Sequence, residues 1–185
     1  MVDQVPAGPE RIGLVTADIT TLQVDAFVYY ARPDLGLGSG FGTAISVRGG
    51  PSVQQELKSL GPVAVGEAVV TAAGGLKAHH IIHAVGPRFQ EDRTEEKLRA
   101  TVRRVLQLAT EKGFAHIALP AMGVGFYGVP LGLSAAVMVS EIRTYLAGAA
   151  TPERVTISVI DSREYKALAA QLAAAGAGSP VGGRP

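Results

Sequence analysis

Two glycine-rich segments are the strongest candidates for chemistry in this chain. Residues 35–45 read LGLGSGFGTAI, and residues 121–130 read AMGVGFYGVP. Glycine allows a positive φ and a close approach of the main chain to a ligand, because no Cβ stands in the way. Free N–H groups at the start of a following helix then favour an anion. One such segment could be only a tight turn, but two at one edge of a sheet favour a site that holds a diphosphate.

Motifs of the common nucleotide-binding folds are incomplete here. No Gly-Lys-Ser or Gly-Lys-Thr follows either segment, so a loop for ATP hydrolysis is poorly supported. The first segment has Gly36-x-Gly38 but Phe41 in place of a third glycine, which also weakens a Rossmann interpretation. Asp18 follows a predicted strand. Its carboxylate could accept a hydrogen bond from the exocyclic amine of adenine, or it could cap the turn that follows.

Other reactive residue types do not form a recognisable constellation. His79 and His83 share one face of a predicted strand, but Ile81 occupies the position that a two-residue metal-ligand spacing requires. We therefore interpret His83 as a core histidine. Ser39 and Ser134 have no accompanying His/Asp pattern, so no acyl-transfer triad is predicted. The chain has no cysteine. The sequence predicts neither a metal site nor a cofactor.

Composition narrows the class of protein. The 185 residues carry a formal net charge of +1 and only 5% aromatic residues, which makes nucleic acid an unlikely partner. Hydrophobic residues make up 47%, enough for the core of one domain. No apolar run reaches the roughly 18 residues of a membrane span, and the first ten residues do not read as a secretory signal. We therefore expect a cytoplasmic protein, and the bias toward Ala, Gly and Arg suggests a bacterial source.

The elements that must position these residues alternate between strands and helices. Residues 94–112 predict the clearest helix, with Thr94 as its cap, Glu95 and Glu96 at its positive end and Gly113 as its stop. The remaining helices are predicted at residues 52–60, 131–146 and 163–174, and strands at residues 11–16, 26–30, 67–71, 79–84, 116–121 and 155–160. This alternation predicts an α/β fold in which a layered sheet is covered by helices on both faces. Ligands of such sheets bind at the carboxyl ends of the strands.

The domain is expected to cover residues 10–175. Residues 1–9 are rich in proline and glycine and predict a flexible lead, and residues 176–185 predict a disordered tail. No internal repeat or interior linker divides the rest.

The ordered set of segments between about residues 11 and 172 resembles the macro domain family. The matching segments are DIT at 18–20, DAFV at 25–28, GSGFGTAI at 38–45, GGP at 49–51, VGEA at 65–68, IIHAVGP at 81–87, IALPA at 117–121 with the loop behind it, and the last strand ending at Asp161. The first loop is most similar to that of the macro-histone type. No one motif is decisive, but the order and spacing are specific. The resemblance implies a three-layer α/β/α fold with a mixed, largely parallel sheet of six or more strands.

The resemblance implies binding of ADP-ribose, free or attached to a protein, in a cleft between the two loops. Asp18 would hold the adenine amine with the Ile19 amide beside it, and Tyr127 would lie against the distal ribose. Asp161 and Tyr165 would belong to the adenine end. The first loop would face the distal ribose and one phosphate, and the second would wrap the diphosphate; the residues concerned are Gly38, Ser39, Gly40 and Phe41, then Gly123, Val124, Gly125 and Phe126.

Departures from the pattern of family hydrolases bear on catalysis. The resemblance places Tyr29-Tyr-Ala-Arg32 where many hydrolases have Asn-Ala-Ala-Asn, and Gly42 where they have a catalytic Asp. The second loop also lacks the acid that another subgroup uses. Asp34 is the one acid near the expected distal ribose, although it equally suits a turn after Pro33. Whether the chain is an enzyme is left open by these residues, and they favour a binding module.

Two other functions compete with binding. One is an ADP-ribosyl hydrolase or O-acetyl-ADP-ribose deacetylase that acts through a water positioned by the substrate. The other is a scaffold for RNA or poly(ADP-ribose), which the near-zero net charge disfavours.

Overall fold

Six strands and five α-helices make up the described part of the chain, residues 11–38 and 40–176 of a computed structural model. In chain order they are β1 (Ile12–Thr16), β2 (Ala26–Ala31), α1 (Phe41–Gly49), α2 (Pro51–Leu60), β3 (Ala68–Ala72), β4 (His80–Val85), α3 (Thr94–Lys112), β5 (His116–Leu119), α4 (Leu131–Gly148), β6 (Arg154–Val159) and α5 (Ser162–Gly176). A 3₁₀ turn at Ile19–Thr21 follows β1. The predicted lead at 1–9 lies outside the described residues, as do residues 177–185 of the predicted tail. Gly176, the first residue of the predicted tail, is instead the last residue of α5.

The strands form one mixed sheet in the order β1-β6-β5-β2-β4-β3. All neighbouring pairs are parallel except β3 with β4, which is antiparallel. β2 lies at the centre, and all six of its residues are buried. This continuous burial is expected of a parallel strand that is covered by helices on both faces.

Helices cover both faces of the sheet, so the three-layer prediction is confirmed. On one face, Phe27 and Tyr29 of β2 pack with α1 and α2 in one hydrophobic cluster. On the other face, Val28 and Tyr30 pack with α3, α4 and α5 in a second cluster. The alternation along β2 follows from the two-residue period of a strand.

Two predictions about helices need correction. Residues 41–49 form α1, which the sequence did not reveal, because glycine at both ends and in the first turn hides the helical pattern. Thr94 is not the cap of α3. Arg93, in the left-handed region at φ 55°, is the capping residue; its side chain makes no capping hydrogen bond, and its guanidinium pairs with Glu96 at 3.5 Å. Thr94 instead donates from Oγ1 to the Glu91 carbonyl at 2.7 Å. Gly113, at φ 70°, ends α3 as predicted.

The remaining boundaries differ from the predictions by one to two residues. Within residues 11–38 and 40–176, none of the helices combines the length and the hydropathy needed to span a bilayer.

Candidate functional site

A cleft of about 810 Å³ opens at the carboxyl ends of β1, β6, β5 and β2. It lies where the loops that follow these four strands meet, as expected for an open α/β sheet. Its walls are formed by Thr16, Ala17, Asp18, Ile19, Tyr29, Tyr30, Arg32, Gly38, Gly40, Phe41, Ala44, Pro120, Ala121, Gly123, Val124, Phe126, Tyr127, Ser158, Ile160 and Glu164.

The first glycine-rich loop places the start of α1 at the wall of the cleft. Gly40 precedes the helix at φ 65°, a conformation that favours glycine, and as a glycine it has no side chain to cap the helix. The N–H groups of the first turn therefore have no capping side chain, and Phe41 at the first position of the helix lines the cleft. Such a helix start is suited to an anion.

The second glycine-rich loop faces the first across the cleft and is held from behind. Gly123 has φ 77°, and a Cβ there would lie 2.7 Å from Val129 Cγ2, so only glycine fits. Ser134, fully buried in α4, donates its hydroxyl to the Met122 carbonyl at 2.7 Å. The Phe89 N–H donates to the Tyr127 carbonyl at 2.9 Å. The loop is thus fixed from both sides, and Val124 and Phe126 line the cleft.

Asp18 stands at the β1 end of the cleft and has several partners. Its Oδ1 accepts hydrogen bonds from the Thr20 N–H at 3.0 Å and the Thr20 hydroxyl at 2.7 Å, which caps the 3₁₀ turn. Its Oδ2 lies 2.5 Å from Nη1 of Arg48 in α1. Burial alone would raise the pKa of Asp18, but these bonds from Thr20 and Arg48 outweigh it and hold the pKa below its ordinary value. The carboxylate is therefore ionised, oriented and still about half exposed.

Glu164 is a second carboxylate at this end, and the sequence prediction missed it. Its Oε2 accepts the Ile160 N–H at 3.0 Å, while Asp161 Oδ1 accepts the Glu164 N–H at 2.8 Å. This reciprocal arrangement resembles a capping box, and the Asp161-x-x-Glu164 spacing was the signal that could have revealed it. Ile160 lies alongside with 77% of its surface exposed, so its apolar side chain is free to contact a planar ring.

Tyrosines form the wall at the β2 end. The rings of Tyr30 and Tyr127 lie 4.7 Å apart, and Tyr30 donates its hydroxyl to the Pro87 carbonyl at 2.5 Å. Burial raises the pKa of Tyr127, an effect that nearby Arg32 and Arg88 oppose. Tyr29 fills the space above α1, because a Cβ on Gly42 would lie 2.6 Å from the Tyr29 hydroxyl. The position that the resemblance linked to a catalytic Asp therefore has no room for a side chain while Tyr29 is in place.

Arg32 lines the same end of the cleft and is paired with Asp34. Arg32 donates from Nε to Asp34 Oδ1 at 3.1 Å and from Nη2 to Oδ2 at 3.0 Å. Asp34 Oδ1 also accepts the Gly36 N–H at 2.9 Å, so Asp34 is a turn residue as well. The Gly36 N–H and the Arg32 guanidinium hold the pKa of Asp34 below its ordinary value. Asp34 is not among the residues that line the cleft.

The structure brings most of the predicted site residues together. Those that line the cleft are Asp18, Ile19, Gly38, Gly40, Phe41, Gly123, Val124, Phe126 and Tyr127. Gly125, Asp161 and Tyr165 do not line it; Asp161 immediately precedes α5, and Tyr165 packs against the hydrophobic core. Ser39 lies outside the described residues.

Sequence reasoning assigned no ligand contact to five further groups of this site. Tyr29 and Tyr30 read as strand residues, and Ser158, Ile160 and Glu164 come from the last strand and helix. For Tyr29, Tyr30, Ser158 and Ile160, the available signal was their place at or next to the ends of β2 and β6, since strand ends border the site in this class of fold.

Comparisons with known proteins agree with this geometry. The sequence model of the Macro domain family matches residues 31–138. A protein of Saccharolobus solfataricus is 41% identical over 144 residues, which cover 76% of this chain and 80% of that protein. An Enterobacter protein named O-acetyl-ADP-ribose deacetylase is 37% identical over 151 residues, covering 78% of this chain and 84% of the relative.

Among solved structures, the Trypanosoma brucei macrodomain in complex with ADP-ribose superposes with a TM-score of 0.83 at 27% identity, covering 88% of this chain and 69% of that one. The family match includes both glycine-rich loops. The chain therefore belongs to the macro domain family.

Proposed function

We propose that this macro domain binds ADP-ribose, free or linked to a protein, as its principal function. One observation carries this proposal: a single cleft joins an ionised carboxylate, two opposed glycine-rich loops and a wall of tyrosines, in that order along the sheet edge. Asp18 would accept the amine of adenine, the loops would hold the diphosphate, and Tyr127 would contact the distal ribose. The T. brucei macrodomain, whose solved structure is a complex with ADP-ribose, supports ADP-ribose as the ligand.

The adenine end of the proposed site is larger than the sequence predicted. Ile160 offers an exposed apolar surface to the base, and the largely buried Glu164 adds a second carboxylate to the lining of the cleft. Asp161 and Tyr165 stay predictions for this end; the contacts of Asp161 favour an indirect role, in which it fixes Glu164. Gly125 likewise stays a prediction for the diphosphate.

Calorimetric titration with ADP-ribose, ADP, AMP and NAD tests the proposal. We expect ADP-ribose to bind most tightly, because only it fills both the diphosphate region and the distal end without adding nicotinamide. AMP lacks one phosphate and the distal ribose, so its affinity should be lower by at least about tenfold, given ~1.5–3 kcal/mol for a hydrogen bond to a charged group. Equal affinities for AMP and ADP-ribose would rule out a diphosphate site between the loops.

We expect little hydrolysis of ADP-ribosyl substrates. Such a reaction needs a positioned water and usually a group that takes its proton. Gly42 offers no acid, and Arg32 stays protonated at neutral pH. Asp34 is turned toward Arg32 and Gly36, and its lowered pKa makes it a weaker base.

Hydrolysis of O-acetyl-ADP-ribose is the second candidate function, because the Enterobacter relative is named as a deacetylase. Release of ADP-ribose from O-acetyl-ADP-ribose and from a mono-ADP-ribosylated protein would be compared with a control without enzyme. Rapid release would establish an enzyme. Its loss in Asp34→Ala would then make Asp34 the base, whereas its survival would indicate a water activated by the substrate.

Several finer features stay predictions. The macro-histone type of the first loop, a cytoplasmic location, a bacterial source and ADP-ribosylated proteins as partners rest on the sequence. RNA or poly(ADP-ribose) as a ligand stays disfavoured by the net charge of +1, and a steep salt dependence of binding would reverse that view.

A further inference from the structure

The hydrogen bonding of Arg32 leaves part of its guanidinium unused. The Asp34 carboxylate accepts hydrogen bonds from Nε and Nη2, the two nitrogens along one edge of the guanidinium. Nη1 makes no hydrogen bond to any residue in the described ranges 11–38 and 40–176. A guanidinium has five N–H donors, so Nη1 still has two to offer, at a side chain that lines the cleft.

The first loop is shaped around this guanidinium. A Cβ on Gly36 would lie 2.5 Å from Nη2, and one on Gly38 would lie 3.8 Å from Nη1. A side chain at residue 36 would therefore displace the guanidinium. Asp34 is in turn held by the Gly36 N–H. The segment from Arg32 to Gly38 thus holds the Arg32 guanidinium in one position. An ion pair between two exposed, otherwise unrestrained side chains would not hold it in this way.

The strand order places Arg32 at the distal end of the proposed ligand. Asp18 follows β1 at one edge of the sheet, whereas Arg32 follows β2, three strands away, at the start of the segment that leads to the first glycine-rich loop. Arg32 also lies close enough to Tyr127 to act on its phenol electrostatically. In the proposed orientation, with Tyr127 against the distal ribose, a group attached to that ribose would lie near these two residues, which both line the cleft.

We infer that Arg32 is a specificity-determining residue that binds the carbonyl oxygen of an acyl group attached to the distal ribose. This inference rests on the proposed binding of ADP-ribose. Asp34 neutralises the charge of Arg32, so the free N–H groups suit a neutral carbonyl better than a second anion, which Asp34 would repel. The site would thus favour acyl-linked ADP-ribose, as a small ester or on a protein carboxylate, over ether-linked ADP-ribose.

Two stable analogues of ADP-ribose test this inference on the intact chain. One carries an acetamide on the distal ribose and the other an ethyl ether at the same position, so they differ chiefly in the carbonyl. We expect the acetamide analogue to bind the natural chain about tenfold more tightly, as for a hydrogen bond from a charged donor. This ratio should fall to about one in Arg32→Ala. Arg32→Lys keeps the charge but cannot form the two parallel hydrogen bonds to Asp34, so the affinity ratio of the two analogues should fall close to one in this variant as well.

Several results would overturn the inference. Equal affinities of the two analogues for the natural chain would do so without any variant, and so would a ratio that persists in Arg32→Ala. If Arg32→Ala weakens ADP as much as the acetamide analogue, Arg32 serves the diphosphate instead. Failure of the proposed function looks different, because ADP-ribose itself would then not bind. Peptides modified through an amide or through a serine ether show whether the preference extends to proteins.

Discussion

Asp18 uses one carboxylate oxygen to cap the turn after β1 and presents the other to Arg48. The sequence left capping and ligand binding as alternatives for this residue, and the geometry allows both at once. The bonds that cap the turn also orient the carboxylate toward the cleft. Arg48 additionally donates to the Thr20 hydroxyl, so each of the three side chains is hydrogen-bonded to the other two.

Arg48 should control the pH range over which the base is recognised. Asp18 accepts the adenine amine only when ionised, and Arg48 helps to hold its pKa below the ordinary value of 3.8. In Arg48→Gln that pKa should rise, so the affinity for ADP-ribose should begin to fall at a higher pH than in the natural chain. Titrations between pH 3.5 and pH 7 would measure both curves. Arg103→Gln, which removes an ion pair with Glu141 on the other face of the sheet, is the control; superposable curves for Arg48→Gln and the natural chain would contradict a role for Arg48.

At the scale of single elements, α1 depends on the absence of a side chain at residue 42. Gly42→Ala places a Cβ 2.6 Å from the Tyr29 hydroxyl and 3.1 Å from the Leu37 carbonyl carbon. We expect a loss of about 1–3 kcal/mol in the free energy of unfolding, the usual cost of overpacking, despite the better helix propensity of alanine. Urea denaturation would measure it.

Two further variants show whether the cause is this contact. Tyr29→Phe in the Gly42→Ala background removes the clashing hydroxyl and should recover part of the loss. Gly132→Ala in α4 meets no atom within 4 Å and should be neutral or stabilising. An equal loss in Gly42→Ala with and without Tyr29→Phe would show that Leu37, not Tyr29, sets the limit.

The second loop should depend on glycine at residue 125 for its shape. Gly125 has φ 85°, which a β-branched residue adopts only with strain, although a Cβ there would meet no protein atom. Gly125→Val should therefore reshape the loop and lower the affinity for ADP-ribose at least tenfold, as measured by calorimetry. Gly113→Val has the same kind of strain at φ 70°, also in open space, but at the end of α3. It should lower stability and leave the affinity unchanged; equal affinities in both variants would mean that the second loop does not hold the ligand.

At the scale of the whole molecule, the buried His83 should make folding sensitive to mild acid. Its Nε2 lies 2.9 Å from the Thr71 hydroxyl, and burial lowers its pKa from 6.5 to about 4. The unfolded chain therefore binds a proton before the folded chain does as the pH falls below 6.5. The free energy of unfolding should therefore fall by about 3 kcal/mol between neutral pH and pH 4. This contribution of the neutral His83 is present in full above pH 6.5 and is lost as the pH falls toward 4.

Thermal or urea unfolding between pH 4 and pH 7.5 would reveal this component. In His83→Gln the residue cannot take up the proton and can still bond with Thr71, so the curve should be flatter by about that amount. His79→Gln is the matched control, since His79 is 68% exposed and lies just before β4. Identical slopes for His83→Gln and the natural chain would show that the unfolding seen in acid has another source.

The sequence by itself determined the α/β class, most of the helices and strands, the two glycine-rich loops and the place of Asp18 after β1. These features depend on neighbouring residues, through hydrophobic period, glycine content and strand-end position, so they can be read from contiguous segments. The helix α1 was missed for the same reason, because its glycines conceal the local pattern and its packing against Tyr29 and the rest of the cluster cannot be read from the segment itself.

Only the tertiary structure decided which of these features meet. The order β1-β6-β5-β2-β4-β3 places Asp18, the loop after β5 and Glu164 around one cleft, although they are far apart in the chain. The pairing of Arg48 with Asp18, 30 residues away, and the filling of the space above Gly42 by Tyr29 follow from the same packing. Such contacts depend on how strands pair and helices pack across the whole domain, and the local sequence around each residue carries no record of its distant partner.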